Sequence, residues 1–285
     1  MTAVVALGSS SGPPSTVDVP ALEATLYRDG VVGLPGLFSP SWADALHEDF
    51  EAAFAFARSY PDGTIGRGPQ RYYFAVHPER IRGFVDLVSH PVVAGLCAQV
   101  LGPDYLIVEL GFDVPLPGAK NQPWHRDFRT PPETAQTGRL TSLAFNVTTV
   151  DVTPDLAPFE IAPGTQFDNG ETFDHGMFPG PEHHARYQER ASRRFPRRGD
   201  VSARTGLTIH RGTENFTDQS RAVLILGAVV GATDPAEIDV HGLVLTRRYH
   251  EALPEAVRSH LFCTVVDELT PIAQKHDIEG LMMGG

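Results

Sequence analysis

Cysteine is scarce in this chain. Of 285 residues only Cys97 and Cys263 are cysteines, and they show no paired spacing, so neither a disulfide framework nor a cysteine zinc site is written here. Both are expected to be reduced, as in a cytoplasmic protein. Positive charge is also short: 23 Lys and Arg against 35 Asp and Glu leave a formal net charge of −12, which makes nucleic acid or an anionic membrane a poor partner. No segment approaches the roughly 20 apolar residues that a membrane span requires. The start, Met1 to Val5, lacks a basic region, and Gly8 and the run Ser9 to Ser11 break its apolar stretch, so no secretory signal is expected. The basic cluster Arg193, Arg194, Arg197 and Arg198 is the one candidate for a local anion site, and a solvated loop is its simpler reading. The oligomeric state is left open.

What is present is a globular composition, 41% hydrophobic and 20% charged, with 27 Gly and 24 Pro that favour a turn-rich β architecture over a helical bundle. The expected organisation is a flexible leader over 1–19 and one domain over 20–285. Apolar residues at helical spacing mark Leu22 and Leu26, then Trp42 to Ala57, then a helical region from about Pro78 to Leu101 closed by Gly102-Pro103. Beyond it the period shifts toward two. Tyr105 to Val114, Leu140 to Val150, Phe159 to Ala162, Val201 to His210 and Arg221 to Val230 read as strands, and a last helix is expected over Pro254 to Val266. The class predicted is α+β, mainly β: a double-stranded β-helix (jelly-roll, cupin-like) core at about 105–232, with N-terminal and C-terminal helices packed on it.

Chemistry concentrates in three places. In Trp124-His125-Arg126-Asp127-Phe128 an imidazole and a carboxylate two residues apart project the same way from extended chain. His210 follows the β-type segment from Val201 and can complete a set of two imidazoles and one carboxylate, which leaves coordination sites open, as non-haem iron(II) oxygenases require. Arg221 stands at the mouth of an apolar strand, where an unpaired guanidinium is costly. Its planar fork suits a carboxylate, either Glu214 or Asp218 of the protein or the distal end of 2-oxoglutarate.

The order His125-x-Asp127, Ala162-Pro163-Gly164-Thr165, Gly199-Asp200, Ile209-His210 and Arg221 eleven positions later resembles the phytanoyl-CoA dioxygenase family of iron(II)/2-oxoglutarate enzymes, over roughly residues 20–250. The resemblance implies iron(II) held by His125, Asp127 and His210, with 2-oxoglutarate as co-substrate anchored by Arg221, and dioxygen as oxidant. Members often carry a small hydroxyl two residues after the distal histidine, where this chain has Gly212 followed by Thr213. They also place an amide just upstream of His-x-Asp, for which Gln122 is the match and Asn146 a second candidate. Because Asp127 is present, halogenation is disfavoured. The reaction implied is oxidation, with hydroxylation first, of a small metabolite or natural-product intermediate. Tyr72, Tyr73, Phe74 and Phe128 are the candidate substrate contacts. The rival readings are a cupin-like dioxygenase or isomerase that does not use 2-oxoglutarate, and a non-catalytic β-sandwich binding module. Finally, the long segment from Gln166 to Arg198 is expected to be a lid, with Phe173, Met177, Phe178 and Tyr187 as its apolar surface.

Overall fold

The computed structural model describes residues 17–233 and 242–274. Most of the expected leader lies outside these residues, and its last position, Val19, already opens a helix. Helix α1 (Val19–Asp29) starts under the Asp18 carboxylate, which accepts from the Ala21 N–H at 3.1 Å, and ends at Gly30 with φ 74°. Strand β1 (Val31–Leu34) leads to α2 (Pro40–Ala57), capped by the Ser39 hydroxyl. Next come β2 (Ile65–Gly66) and β3 (Arg71–Ala75).

The single helical region expected from Pro78 to Leu101 is three pieces: a 3₁₀ turn Pro78–Arg80, α3 (Phe84–Val88) and α4 (Pro91–Leu101). Pro91 is the reason for the last break. It has no N–H to continue a helix but fits a first helical position, and the His90 ring caps the new start. The chain continues as β4 (Leu106–Pro115), α5 (Pro132–Thr137), β5 (Ser142–Thr148), β6 (Phe159–Ile161), α6 (Pro181–Arg190), β7 (Ser192–Arg194), β8 (Val201–Arg204), β9 (His210–Gly212) and β10 (Val223–Val229). It closes with β11 (Leu243–Thr246), α7 (Arg247–Ala252), α8 (Glu255–Arg258) and β12 (Cys263–Val266). The expected final helix is therefore only four residues long, and its remainder is a strand parallel to β11. Cys263-Thr264-Val265-Val266 is dominated by β-branched side chains, which fit a pleated strand better than a helix.

Seven strands form one antiparallel sheet in the order β1-β8-β5-β10-β4-β3-β2, and β7-β6-β9 form a smaller one. The large sheet is thus wider than the expected core, because β1 to β3 from the N-terminal third join it. Its alternation divides two environments. Phe112, Phe145, Leu224 and Leu226 share one core with Leu26, Leu46, Phe50 and Leu96 of the helices. The intervening residues, Glu109, Gly111 and Asp113 on β4, Ala144 and Asn146 on β5, and Ser202 and Arg204 on β8, point to the other face, which is polar.

The stretch read as one strand from Val201 to His210 is divided. The chain leaves the large sheet at Arg204, turns through Thr205 to Ile209, and enters the small sheet at His210. That turn is fastened to the end of α1: Thr205 N–H and the Thr208 hydroxyl both donate to Gly30 O, at 3.0 and 3.1 Å. A side chain on Gly30 would meet Thr208 Oγ1 at 2.0 Å, so this junction needs glycine for space as well as for φ.

The segment 166–198 is not a bare loop. It contains α6 and β7, and its Phe173 and Tyr187 are buried with Trp124, Ala162 and Ile209 in a second apolar cluster. Of the basic cluster at its end, Arg193 pairs with Glu160 at 2.9 Å and Arg198 with Asp44 at 2.8 Å.

Candidate active site

His125 and His210 lie on neighbouring extended segments that exchange both backbone hydrogen bonds, His125 N–H to His210 O at 3.0 Å and the reverse at 2.9 Å. Asp127, two residues on, faces the same way, and its Oδ1 is 3.3 Å from His210 Nε2. One ligand atom from each of the three falls within 4.8 Å of the others, a set able to hold one metal ion.

The protons are also arranged for it. His125 Nδ1 lies 2.9 Å from Pro123 O and His210 Nδ1 2.8 Å from Thr208 O. A carbonyl only accepts, so each Nδ1 carries the proton and each Nε2 keeps a lone pair for the metal. Burial, with His210 adding to it, presses the His125 pKa down to about 3, so this ring stays neutral. Burial by itself would raise the Asp127 carboxyl, but Arg204 and His210 hold it well below the usual carboxylate range. Arg204 Nη1 donates to Asp127 Oδ2 at 2.5 Å, fixing one oxygen and leaving the other toward the histidines. Gly206 gives these groups room, since a Cβ there would meet Phe128 at 2.5 Å and Asp127 Oδ2 at 2.9 Å.

The cluster opens into a cavity of about 1890 Å³ over the polar face of the large sheet. Typical small-molecule pockets are about 300 to 1,000 Å³, so there is room for a co-substrate and a substrate together. His125, Asp127, His210, Arg221, Gln122, Asn146, Tyr73 and Phe128 all line it. The other three sequence candidates lie elsewhere, for a common reason. Neighbours on a strand face opposite ways, so with Tyr73 directed inward, Tyr72 lies outside beneath the Arg58 guanidinium, and Phe74 is buried in the core against Phe54 and Phe112. Likewise Gly212 faces the cavity and Thr213 does not; its buried hydroxyl donates to Pro158 O at 2.6 Å.

Arg221 pairs with neither Glu214 nor Asp218. Its Nη2 donates to Asp113 Oδ2 at 3.2 Å, and the same oxygen accepts from Arg71 Nη1 at 3.1 Å. Two buried guanidiniums thus share one carboxylate, which leaves a local charge of +1. Burial, opposed by Asp113 and assisted by Arg71, lowers the Arg221 pKa to about 10, so it is cationic at neutral pH. Its Nε is buried without a hydrogen-bond partner among the described residues, as is Asn146 Oδ1. Gly212 explains how Arg71 fits: a Cβ at that position would lie 2.4 Å from the Arg71 guanidinium. Gln122 serves the same wall, its Oε1 accepting from Gly212 N–H at 2.9 Å.

Arg71, Asp113 and Arg204 were not among the sequence candidates. For Arg204 a signal exists, an arginine ending the otherwise small and apolar strand Val201–Arg204 six residues before His210. Arg71 and Asp113 meet only through the pairing of β3 with β4.

Two histidines and one carboxylate facing a roomy cavity is an arrangement that mononuclear metal oxygenases use. The chain belongs to the phytanoyl-CoA dioxygenase family, whose model matches residues 26–223. Solved structures of similar fold include the epimerase SnoN in complex with Fe3+, alpha ketoglutarate and nogalamycin RO, at 20% identity and TM-score 0.57, covering 74% of this chain and 83% of that one. Another is the non-heme alpha ketoglutarate dependent carbocyclase SnoK from nogalamycin biosynthesis, at 18% identity and TM-score 0.59, covering 77% and 87%. EctD from S. alaskensis, with 2-oxoglutarate and 5-hydroxyectoine, is similar at 18% identity and TM-score 0.58, covering 80% of each chain. No curated protein matches the sequence. No helix among the described residues is long and apolar enough to cross a membrane.

Proposed function

We propose that this protein is an iron(II)- and 2-oxoglutarate-dependent dioxygenase that hydroxylates a small metabolite or natural-product intermediate, and that its two sheets form a double-stranded β-helix around the site. The observation that carries this is the donor set: two imidazoles with their Nδ1 protons committed to backbone carbonyls and a carboxylate held ionised, all converging within 4.8 Å. Such a set matches the borderline preference of iron(II) for nitrogen and carboxylate oxygen. The partnerless Arg221 Nε and the uncompensated charge beside it match the distal carboxylate of 2-oxoglutarate.

When bound together, iron and 2-oxoglutarate supply the oxidising power: dioxygen is consumed, 2-oxoglutarate leaves as succinate and carbon dioxide, and the substrate gains one oxygen atom. The protein's part is to hold and orient. His125, Asp127 and His210 would hold the metal, and Arg204 keeps Asp127 from rotating. Arg221, with Arg71 behind it, would bind the dicarboxylate. Phe128 and Met177 on the cavity wall limit water near the reacting groups.

The test is anaerobic titration of the iron(II)-loaded protein with 2-oxoglutarate, then a succinate-release screen in air. One iron per chain and saturable 2-oxoglutarate binding are expected, with the Kd raised about 10- to 150-fold in Arg221→Met by loss of about 1.5 to 3 kcal/mol of charge-assisted hydrogen bonding. A protein that binds iron but not 2-oxoglutarate would overturn the reading in favour of a metal enzyme of another kind.

A further inference from the structure

One carboxylate in the cavity has no role in the scheme above. Glu109 lies on the polar face of β4, opposite Gly227 of β10, where the register of the two strands shifts at a β-bulge. The regular alternation of β4 through Asp113 and Gly111 turns Glu109 toward the cavity, at the last in-register pair before that bulge. Two glycines make room for it. A Cβ on Gly227 would come within 2.8 Å of Glu109 Oε2, and a Cβ on Gly111 would lie 2.4 Å from the Tyr73 hydroxyl. The missing side chain at Gly111 lets Tyr73 reach over β4 and donate to Glu109 Oε1 at 2.6 Å.

The other carboxylates lining the cavity are already engaged. Asp113 is shared by Arg71 and Arg221, Asp127 is held by Arg204, Glu133 pairs with Arg139, and Asp200 accepts from the N–H groups of Gly36 and Arg197. Glu109 has the Tyr73 phenol and, among the described residues, no cation within ion-pair distance. Arg67 nearby is turned to the Tyr73 ring, 5.2 Å from its centroid. Arg204, whose charge also reaches Glu109, is committed to Asp127, so this half-buried carboxylate with one neutral donor is under-compensated, and burial raises its pKa. Nor can it serve the dicarboxylate, which it would repel. Oε2 is therefore left facing the space that remains for substrate.

Building on the dioxygenase reading, we propose that Glu109, positioned by Tyr73, recognises a protonated amine on the substrate. An ammonium brings both the missing charge and several donors, and charge-assisted hydrogen bonds are roughly twice as strong as neutral ones. Substrates of this enzyme are accordingly basic molecules, oriented with the amine on the β4 side of the cavity and the carbon to be oxidised toward His125, Asp127 and His210.

The experiment uses the full chain loaded anaerobically with iron(II) and 2-oxoglutarate, titrated by ligand-detected NMR with three matched probes: phenethylamine, 2-phenylethanol and 3-phenylpropanoate. The amine is expected to bind at least tenfold tighter than the alcohol, about 1.4 kcal/mol, with the carboxylate weakest. In Glu109→Gln, checked for folding by circular dichroism, the amine should fall to within threefold of the alcohol. Equal affinities in the wild type overturn the proposal whatever the variant does, and so does an amine preference that survives in folded Glu109→Gln. Binding of 2-oxoglutarate to the wild type is measured first; its absence would count against the dioxygenase reading, whereas its presence without amine preference removes this proposal alone.

Discussion

Replacing Arg71 by Ala tests whether the charge balance beneath Arg221, rather than Arg221 alone, makes the dicarboxylate site. In the wild type two guanidiniums and the Asp113 carboxylate sum to +1. Without Arg71, Asp113 is left wholly to Arg221 and the sum falls to zero, so an incoming carboxylate competes with a partner already in place. Losing a charge-assisted contact of about 1.5 to 3 kcal/mol corresponds to a 2-oxoglutarate Kd raised about 10- to 150-fold, read by anaerobic calorimetry at constant iron content. Stability should suffer less than for most breaks of a buried pair, because Asp113 keeps one cation. What is lost is the donor to Thr213 O at 2.9 Å and half of the Asp113 bridge, about 1 to 3 kcal/mol, or about 2 to 4 °C of Tm per kcal/mol at this chain length. The second arm is Gly212→Ser, which restores the small hydroxyl expected from the family resemblance but drives its Cβ to 2.4 Å from the guanidinium. Alone it should lower both Tm and 2-oxoglutarate affinity. Combined with Arg71→Ala it should recover part of the loss, since hydroxyl and arginine then no longer compete for one volume. A Kd for Arg71→Ala within twofold of wild type, or strictly additive effects in the double variant, would refute the reasoning.

Asp127→Ala or His210→Ala should reduce bound iron severely, because each removes one of three protein ligands; elemental analysis after desalting checks this, and full iron content in both would show the cluster to be misassigned. Arg204→Met, which frees Asp127 to rotate, should weaken iron binding about 10- to 100-fold while 2-oxoglutarate affinity at saturating iron changes little, as chelator competition can establish. Tyr105 is stacked on His260 at 3.9 Å between ring centroids, and burial pushes its pKa up to about 12. The unfolded phenol ionises near 10, so its contribution to stability is intact below pH 10 and is lost as pH rises from 10 to 12. Urea unfolding at pH 8 and 11 should show a smaller alkaline loss in Tyr105→Phe than in wild type.

The residues that could be found in the sequence are those whose chemistry is carried by local spacing. His125-x-Asp127 needs only an extended chain to point both groups one way, and Arg221 is conspicuous because an apolar strand follows it. Strand segments were likewise legible where β-branched and apolar residues alternate. The longer pattern misleads where a short local signal interrupts it, as at Pro91, which restarts a helix, or at Cys263 to Val266, where a β-branched run leaves the preceding helical pattern and pairs with β11.

The aromatic run Tyr72-Tyr73-Phe74 shows the limit most plainly, because the sequence supplies three candidates of similar chemistry and only the phase of β3 selects among them. Opposite Asp113 in the β3–β4 ladder, Tyr73 faces the cavity, and its neighbours cannot. The same phase brings Arg71 to the carboxylate that it shares with Arg221 and sets Tyr73 over Gly111 toward Glu109. Both partnerships cross between strands, 42 and 36 residues apart in sequence, and the second depends on the glycine at position 111 that lets Tyr73 reach over β4. Two of the three candidate metal ligands can be written in a tripeptide because extended chain alone points both one way. Groups that choose the substrate have no such template: they are set by register, by which neighbour is glycine, and by which acid is left without a base. On the proposed reading selectivity resides in the β3–β4–β10 wall, and exchanging Glu109, Gly111 and Gly227 should alter which substrates are accepted before it alters how iron is held.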